Sequence, residues 1–289
     1  MTLSMSQSKA LNLVYYFLNH FNVDHASNIF DPKGIEAYEA FKADQGVDND
    51  LLGRLGQMGQ TYRDHIEELI SINFIGFGCQ DPQDLIARLR VFKGQVSPGS
   101  QAFLEAFIQT YQEEWIHFDK YDQGETLEGD LLKLIQDPSN PVLKIMDLMG
   151  LPLEVVCIPG LIHYGRACVI DNRLYIGLKS PRSQEDLDQA FLILVHELIH
   201  FLTDDLVGPE NLVHDLPLNE RLVIVFQHMF IQTYYPKWSQ AYDRLLNHWE
   251  GTYQPGNLGQ VFGLDPLYQD KLAEKIDQVR PAFGGSITS

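Results

Sequence analysis

Residues 196–200 read His196-Glu197-Leu198-Ile199-His200, inside an apolar run that extends from Ala190 to Leu202. No other stretch limits the fold so tightly. On an α-helix, positions i and i+4 share a face, so both imidazoles project the same way. The run is apolar on every side, which marks a buried helix. Two histidines and a glutamate inside such a helix require partners, because an unpaired buried charge is strongly destabilising. The helix also has readable ends. Ser183-Gln184-Glu185-Asp186 offers a capping hydroxyl with an acidic residue three positions on, and Gly208-Pro209 forces a stop.

The spacing points to metal chemistry. A catalytic zinc takes three protein ligands and keeps a fourth position open for water. His196 and His200 would be two of them, as neutral imidazoles. Glu197 lies on the neighbouring side of the helix, where it can take a proton from an activated water and later return it to a leaving amine. The third ligand is expected from a second helix. Asp215-Leu216-Pro217 opens it with proline in the first turn, and it runs through Leu218 to about Tyr235, before Pro236. Leu222 to Phe226 make this helix apolar as well, and Glu220 sits in its first turn. A carboxylate beside such a run calls for a partner, which makes Glu220 the expected third ligand. His214, Asp215, Asp204 and Asp205 compete for the role, and a glutamate that merely favours the helix N-terminus is the plainer reading. The metzincin pattern needs a glycine and a third histidine where this chain has Thr203 and Leu206, so that class is excluded.

The stretch His196 to Asp204, followed by Asn219-Glu220, resembles the gluzincin metallopeptidases, and thermolysin-like enzymes in particular. Those carry H-E-L-x-H-x-x-T-D and then N-E at the same separation. The resemblance covers roughly residues 190 to 227. It implies zinc, one ion per chain, held by His196, His200 and Glu220, with Glu197 as general base. It also implies outer support from Asn219 and from Asp204, partners that set the tautomer and angle of a ligating histidine. One departure is clear. The family supports its first histidine with an aspartate four residues after the third ligand, where this chain has Ile224. His196 is then expected to find another partner, such as a backbone carbonyl. The order of elements is also similar to the ImmA/IrrE-type metallopeptidases: a strand at Arg173 to Leu178, a polar link at Lys179 to Arg182, then the H-E-x-x-H helix. The G-x-M-E-N strand of gluzincin aminopeptidases is missing, which favours an endopeptidase.

Peptide hydrolysis also develops an oxyanion, which a histidine or tyrosine donor commonly stabilises. His228, Tyr234 and His248 are candidates, and the sequence does not choose among them. His228 lies two turns beyond Glu220, a rise of about 12 Å, which is long for contact with the same ion.

The rest of the 289-residue chain frames this site. Residues 1–150 read as helices. Leu11, Val14, Leu18 and Phe103, Phe107, Tyr111 recur at helical spacing, with breaks at Asp31-Pro32, Asp81-Pro82, Ser97-Pro98-Gly99 and Asp137-Pro138. Gly53, Gly56 and Gly59 follow no strand and precede no lysine, so they are not a phosphate loop. After Gly150 the texture changes. Leu153–Ile158, Arg166–Ile170 and Arg173–Leu178 read as strands, the last two joined by the turn-prone pair Asp171-Asn172. Two further helices are expected around Trp238–His248 and Pro266–Val279. The expected fold is therefore α+β and mostly helical. A helical region at 1–150, for recognition or restraint, precedes a zincin-like catalytic region with a small sheet and C-terminal helices at 151–289. An edge strand of that sheet is expected to take a peptide by strand addition.

A net charge of −18 repels phosphate backbones, so nucleic acid is not an expected partner. The three cysteines have no short spacing and suggest neither a disulfide framework nor a thiolate metal site. No stretch has the length to span a bilayer, and Met1 to Lys9 lacks the pattern of an export signal. A cytoplasmic protein without membrane attachment is expected, although signal-independent secretion leaves no mark of this kind. The expected function is a zinc endopeptidase with one or a few protein substrates. The alternatives are a zinc-stabilised binding module without catalysis and a small-molecule amidase on the same site. The intact Glu197 favours catalysis, because a structural zinc needs no base between its ligands.

Overall fold

The computed structural model describes residues 2–21, 30–47, 50–79, 81–122, 124–162, 165–207, 216–250 and 264–283. Its framework is a four-stranded mixed sheet in the order β1-β2-β4-β3. The strands are β1 (Leu3–Gln7), β2 (Leu153–Ile158), β3 (Arg166–Ile170) and β4 (Arg173–Lys179). Strands β1, β2 and β4 run parallel, and β3 runs antiparallel to β4 at the edge. The β3–β4 hairpin turns at Asp171 and Asn172, both left-handed with φ of 49° and 57°. Two successive left-handed residues match the right-handed strand twist, which is why an Asp-Asn pair serves well here. β1 is a departure from the expectation that residues 1–150 are all helical. Its register pairs Leu3 with Leu153 and Gln7 with Cys157, so the start of the chain completes the sheet.

Alternation along the strands builds two cores. Leu153, Val155 and Cys157 of β2, with Leu174, Ile176 and Leu178 of β4, face one side. Val156 and Ile158 face the other. On the second face lie α1 (Lys9–Asn19), α2 (Pro32–Asp44), α3 (Leu51–Asp64), the short turns α4 (Ile66–Leu69) and α5 (Ile72–Ile75), α6 (Pro82–Lys93) and α7 (Pro98–Phe118). Asp31 and Asp81 cap α2 and α6 ahead of their first-turn prolines, and Ser97 stands before Pro98 of α7, so three of the sequence breaks are helix starts. The first face carries α8 (Glu128–Gln136), α9 (Val142–Met149), α10 (Gln184–Val207), α11 (Leu216–Tyr234), α12 (Ser239–Glu250) and α13 (Pro266–Phe283). The fold is thus mostly helical α+β, with helices on both sides of the sheet. Among the described residues, no helix is long and apolar enough to cross a membrane.

The helix α10 runs against the sheet and makes its closest helical packing with α11. Ser183 caps it by accepting from the Asp186 amide at 3.1 Å. Phe191, Leu194, Val195, Leu198 and Ile199 are buried on its several faces. Each such side chain contributes roughly 1.5–3 kcal/mol of hydrophobic stabilisation, which clamps the histidines between them in place.

Candidate metal centre

His196 and His200 leave α10 on the face that meets the first turn of α11. There Glu220 presents one carboxylate oxygen to each ring. His196 Nε2 lies 3.2 Å from Oε2, and His200 Nε2 lies 3.5 Å from Oε1. One ligand atom from each of the three residues lies within 4.8 Å of the other two. Zinc bonds of about 2.0–2.1 Å in a tetrahedron set ligand atoms about 3.3 Å apart, and each histidine lies near that distance from one Glu220 oxygen, a different oxygen for each ring. These three residues could hold a metal ion, and among the described residues no other group of three ligating side chains does so. Of the competing ligands, Asp205 instead pairs with Lys275 of α13. His214 and Asp215, like Gly208-Pro209, lie outside the described residues.

The second nitrogens of both rings have partners. His196 Nδ1 lies 3.2 Å from Gln227 Oε1, and the same Gln227 donates through Nε2 to the Leu192 carbonyl at 2.8 Å. A side-chain amide thus stands beside His196 Nδ1, where the sequence offered a backbone carbonyl as one example of a partner. Gln227 is wholly buried, so its two bonds orient it firmly. Asn219 places its amide 3.3 Å from His200 Nδ1, the position that the resemblance implies. For His200 to ligate through Nε2, its proton must sit on Nδ1, with the amide oxygen of Asn219 turned toward it. Asp204 makes no hydrogen bond to His200 among the described residues, and burial, followed by the nearby Asp205, raises its carboxyl pKa.

The charges in this cluster oppose one another. Burial holds His200 down at about 4, helped by repulsion from His196, so it is neutral at physiological pH. Burial also pulls His196 down, but its bond to Glu220 and the charge of Glu197 outweigh that, and its net shift is upward. Glu220 shows the converse. Burial raises it, yet the bond from His196 and the two imidazoles carry it below the usual carboxylate range. Glu197 is raised, chiefly by burial, which is the direction expected of a group that must exchange protons near neutrality.

Glu197 reaches toward the edge of the sheet. A Cβ on Gly165, the residue before β3, would fall 2.4 Å from Glu197 Oε1 and 2.5 Å from its Cγ. Only a glycine lets the strand approach the carboxylate this closely. Next to it, Arg166 donates through one guanidinium nitrogen to the Gly165 carbonyl at 2.8 Å, and its charge acts on both Glu197 and Glu220.

The candidate oxyanion donors lie elsewhere or outside the description. His228 turns to α12, with Nδ1 4.0 Å from an Asp243 oxygen. The Tyr234 hydroxyl donates to the Ile276 carbonyl at 2.7 Å. The side chain of His248 is outside the described residues. Sequence reasoning missed Gln227, Gly165 and Arg166. Gln227 alone left a signal, seven residues after Glu220 and so on the same helix face. Comparison of the chain with family models, with curated proteins and with solved structures returns no match.

Proposed function

We propose that the chain is a zinc-dependent endopeptidase with a zincin-like core, acting on one or a few specific proteins or peptides. The observation that carries this reading is the convergence of His196, His200 and Glu220, with ligand atoms within 4.8 Å of one another, and the carboxylate of the adjacent Glu197 lying against Gly165 at the sheet edge. A structural zinc would need the three ligands but not the fourth group. Zinc held there would supply Lewis acidity and a water of pKa about 7. Glu197 takes the proton of the attacking water and returns it to the leaving amine. Gln227 and Asn219 hold the imidazoles in the ligating orientation. Among the described residues no strand pairs with the outer side of β3, which would offer an extended peptide a backbone to pair with, next to Glu197.

The test is Glu197→Gln, an isosteric change that removes the base. The variant should keep its zinc and its fold, and its cleavage of a proteome-derived peptide library should fall by about 10²–10⁴-fold. Unchanged cleavage by well-folded, zinc-loaded Glu197→Gln would refute the mechanism.

A further inference from the structure

Arg166 is the first residue of the edge strand β3 and is half-buried. It makes no ion pair among the described residues, although the chain carries 39 acidic side chains against 21 basic ones. Among the described residues its guanidinium makes one hydrogen bond, to the Gly165 carbonyl, which tethers it beside the residue that abuts Glu197. An arginine has five N–H donors in a planar fork, and a single tether leaves most of that fork for a ligand. Of the neighbouring carboxylates, Glu220 belongs to the candidate metal-ligand group and Glu197 is the proposed base. Arg166 adds a fixed positive charge at the start of the edge strand, next to the glycine that abuts Glu197. A peptide added along the open side of β3 would pass this charge, its side chains pointing alternately to either side.

We propose that Arg166 recognises a carboxylate on the substrate, so that the site selects peptides with an aspartate or glutamate next to the scissile bond. The proposal rests on the metallopeptidase reading above and adds the substrate class to it. A planar fork facing a carboxylate gives charge-assisted, often paired hydrogen bonds, which neither a neutral side chain nor a basic one can accept.

The experiment measures binding and not turnover. Two N-acylated amino-acid hydroxamates, one with an aspartate side chain and one with the isosteric asparagine, are titrated calorimetrically into zinc-loaded full-length protein. The wild type should bind the aspartate compound about 10-fold more tightly or better, the value of a charged hydrogen bond. Arg166→Gln should bind both compounds equally, with the asparagine compound as tight as in the wild type, and Arg166→Lys should keep part of the preference. No preference in the wild type, or a preference that survives Arg166→Gln, overturns the proposal. So does an equal loss for both compounds in Arg166→Gln, because that marks a general structural or oxyanion role. If neither compound binds the zinc-loaded wild type, the metallopeptidase reading itself fails and the proposal fails with it.

Discussion

A histidine that ligates through Nε2 carries its proton on Nδ1, and the acceptor of that proton controls how firmly the ring is aimed. For His196 the acceptor is the amide of Gln227, itself pinned to the Leu192 carbonyl. Gln227→Ala should therefore leave all three ligands present but weaken the metal about 10–100-fold, which competition with a chelator would measure. An unchanged affinity would mean that the ring is held by packing alone. A second expectation concerns protons. Burial lowers His196, but Glu220 more than reverses this and favours the protonated ring. Metal needs the lone pair that this proton occupies, so metal uptake near neutral pH should release a proton and weaken as pH falls. Calorimetry in buffers of different ionisation enthalpy reads the release directly, and identical heats in all buffers would contradict it. The two histidines of the cluster were legible because i, i+4 spacing is local information. Arg166 was not, since an arginine opening a strand looks ordinary until the fold shows what lies opposite, and Gln227 left only its place on the helix face of Glu220.

At the scale of elements, the approach of β3 to α10 matters most. Gly165 abuts the Glu197 carboxylate, and the helix behind Glu197 is buried against the sheet and α11. Gly165→Ala must push either the strand or the base. Glu197 is the softer of the two, because its side chain can rotate while the hairpin is fixed by its register with β4. The variant is expected to retain zinc and thermal stability while losing at least about 10-fold in peptide cleavage, given how steeply rate depends on placement. Full activity in this variant would show that Glu197 has room to spare. Strands β2, β3 and β4 and the helices α10 and α11 were readable from the sequence, because each combines apolar periodicity with clear stops. β1 was not. Its Leu-Ser-Met-Ser-Gln sequence is short and half polar, and it becomes a strand only because β2 offers an edge some 150 residues away.

For the molecule as a whole, the sheet separates two cores, and each has its own polar anchor. In the N-terminal layer Glu114 is wholly buried, 3.3 Å from Lys42 and 2.7 Å from the Tyr38 hydroxyl. Glu39, partly exposed, holds Lys42 from the other side at 3.0 Å. Glu114→Ala leaves a buried ammonium with half of its compensation, so the urea midpoint should drop by an amount equivalent to about 3 kcal/mol. Pairing it with Lys42→Met should restore much of that, because the stranded charge is removed as well. Additive losses in the double variant would show that the pair is not coupled. None of this layering could be read in advance, since residues that alternate along a strand do not reveal which helices will cover each face. The parallel pairing of β1 with β2 has a consequence for synthesis. At about 5–20 residues per second the chain's first strand leaves the ribosome roughly 7–30 s before its partner exists. Throughout that interval α1 to α7 can gather around their own aromatic core, but β1 has nothing to pair with. The sheet, and with it the floor under the His196–His200–Glu220 cluster, is completed only when β1 meets a strand made much later.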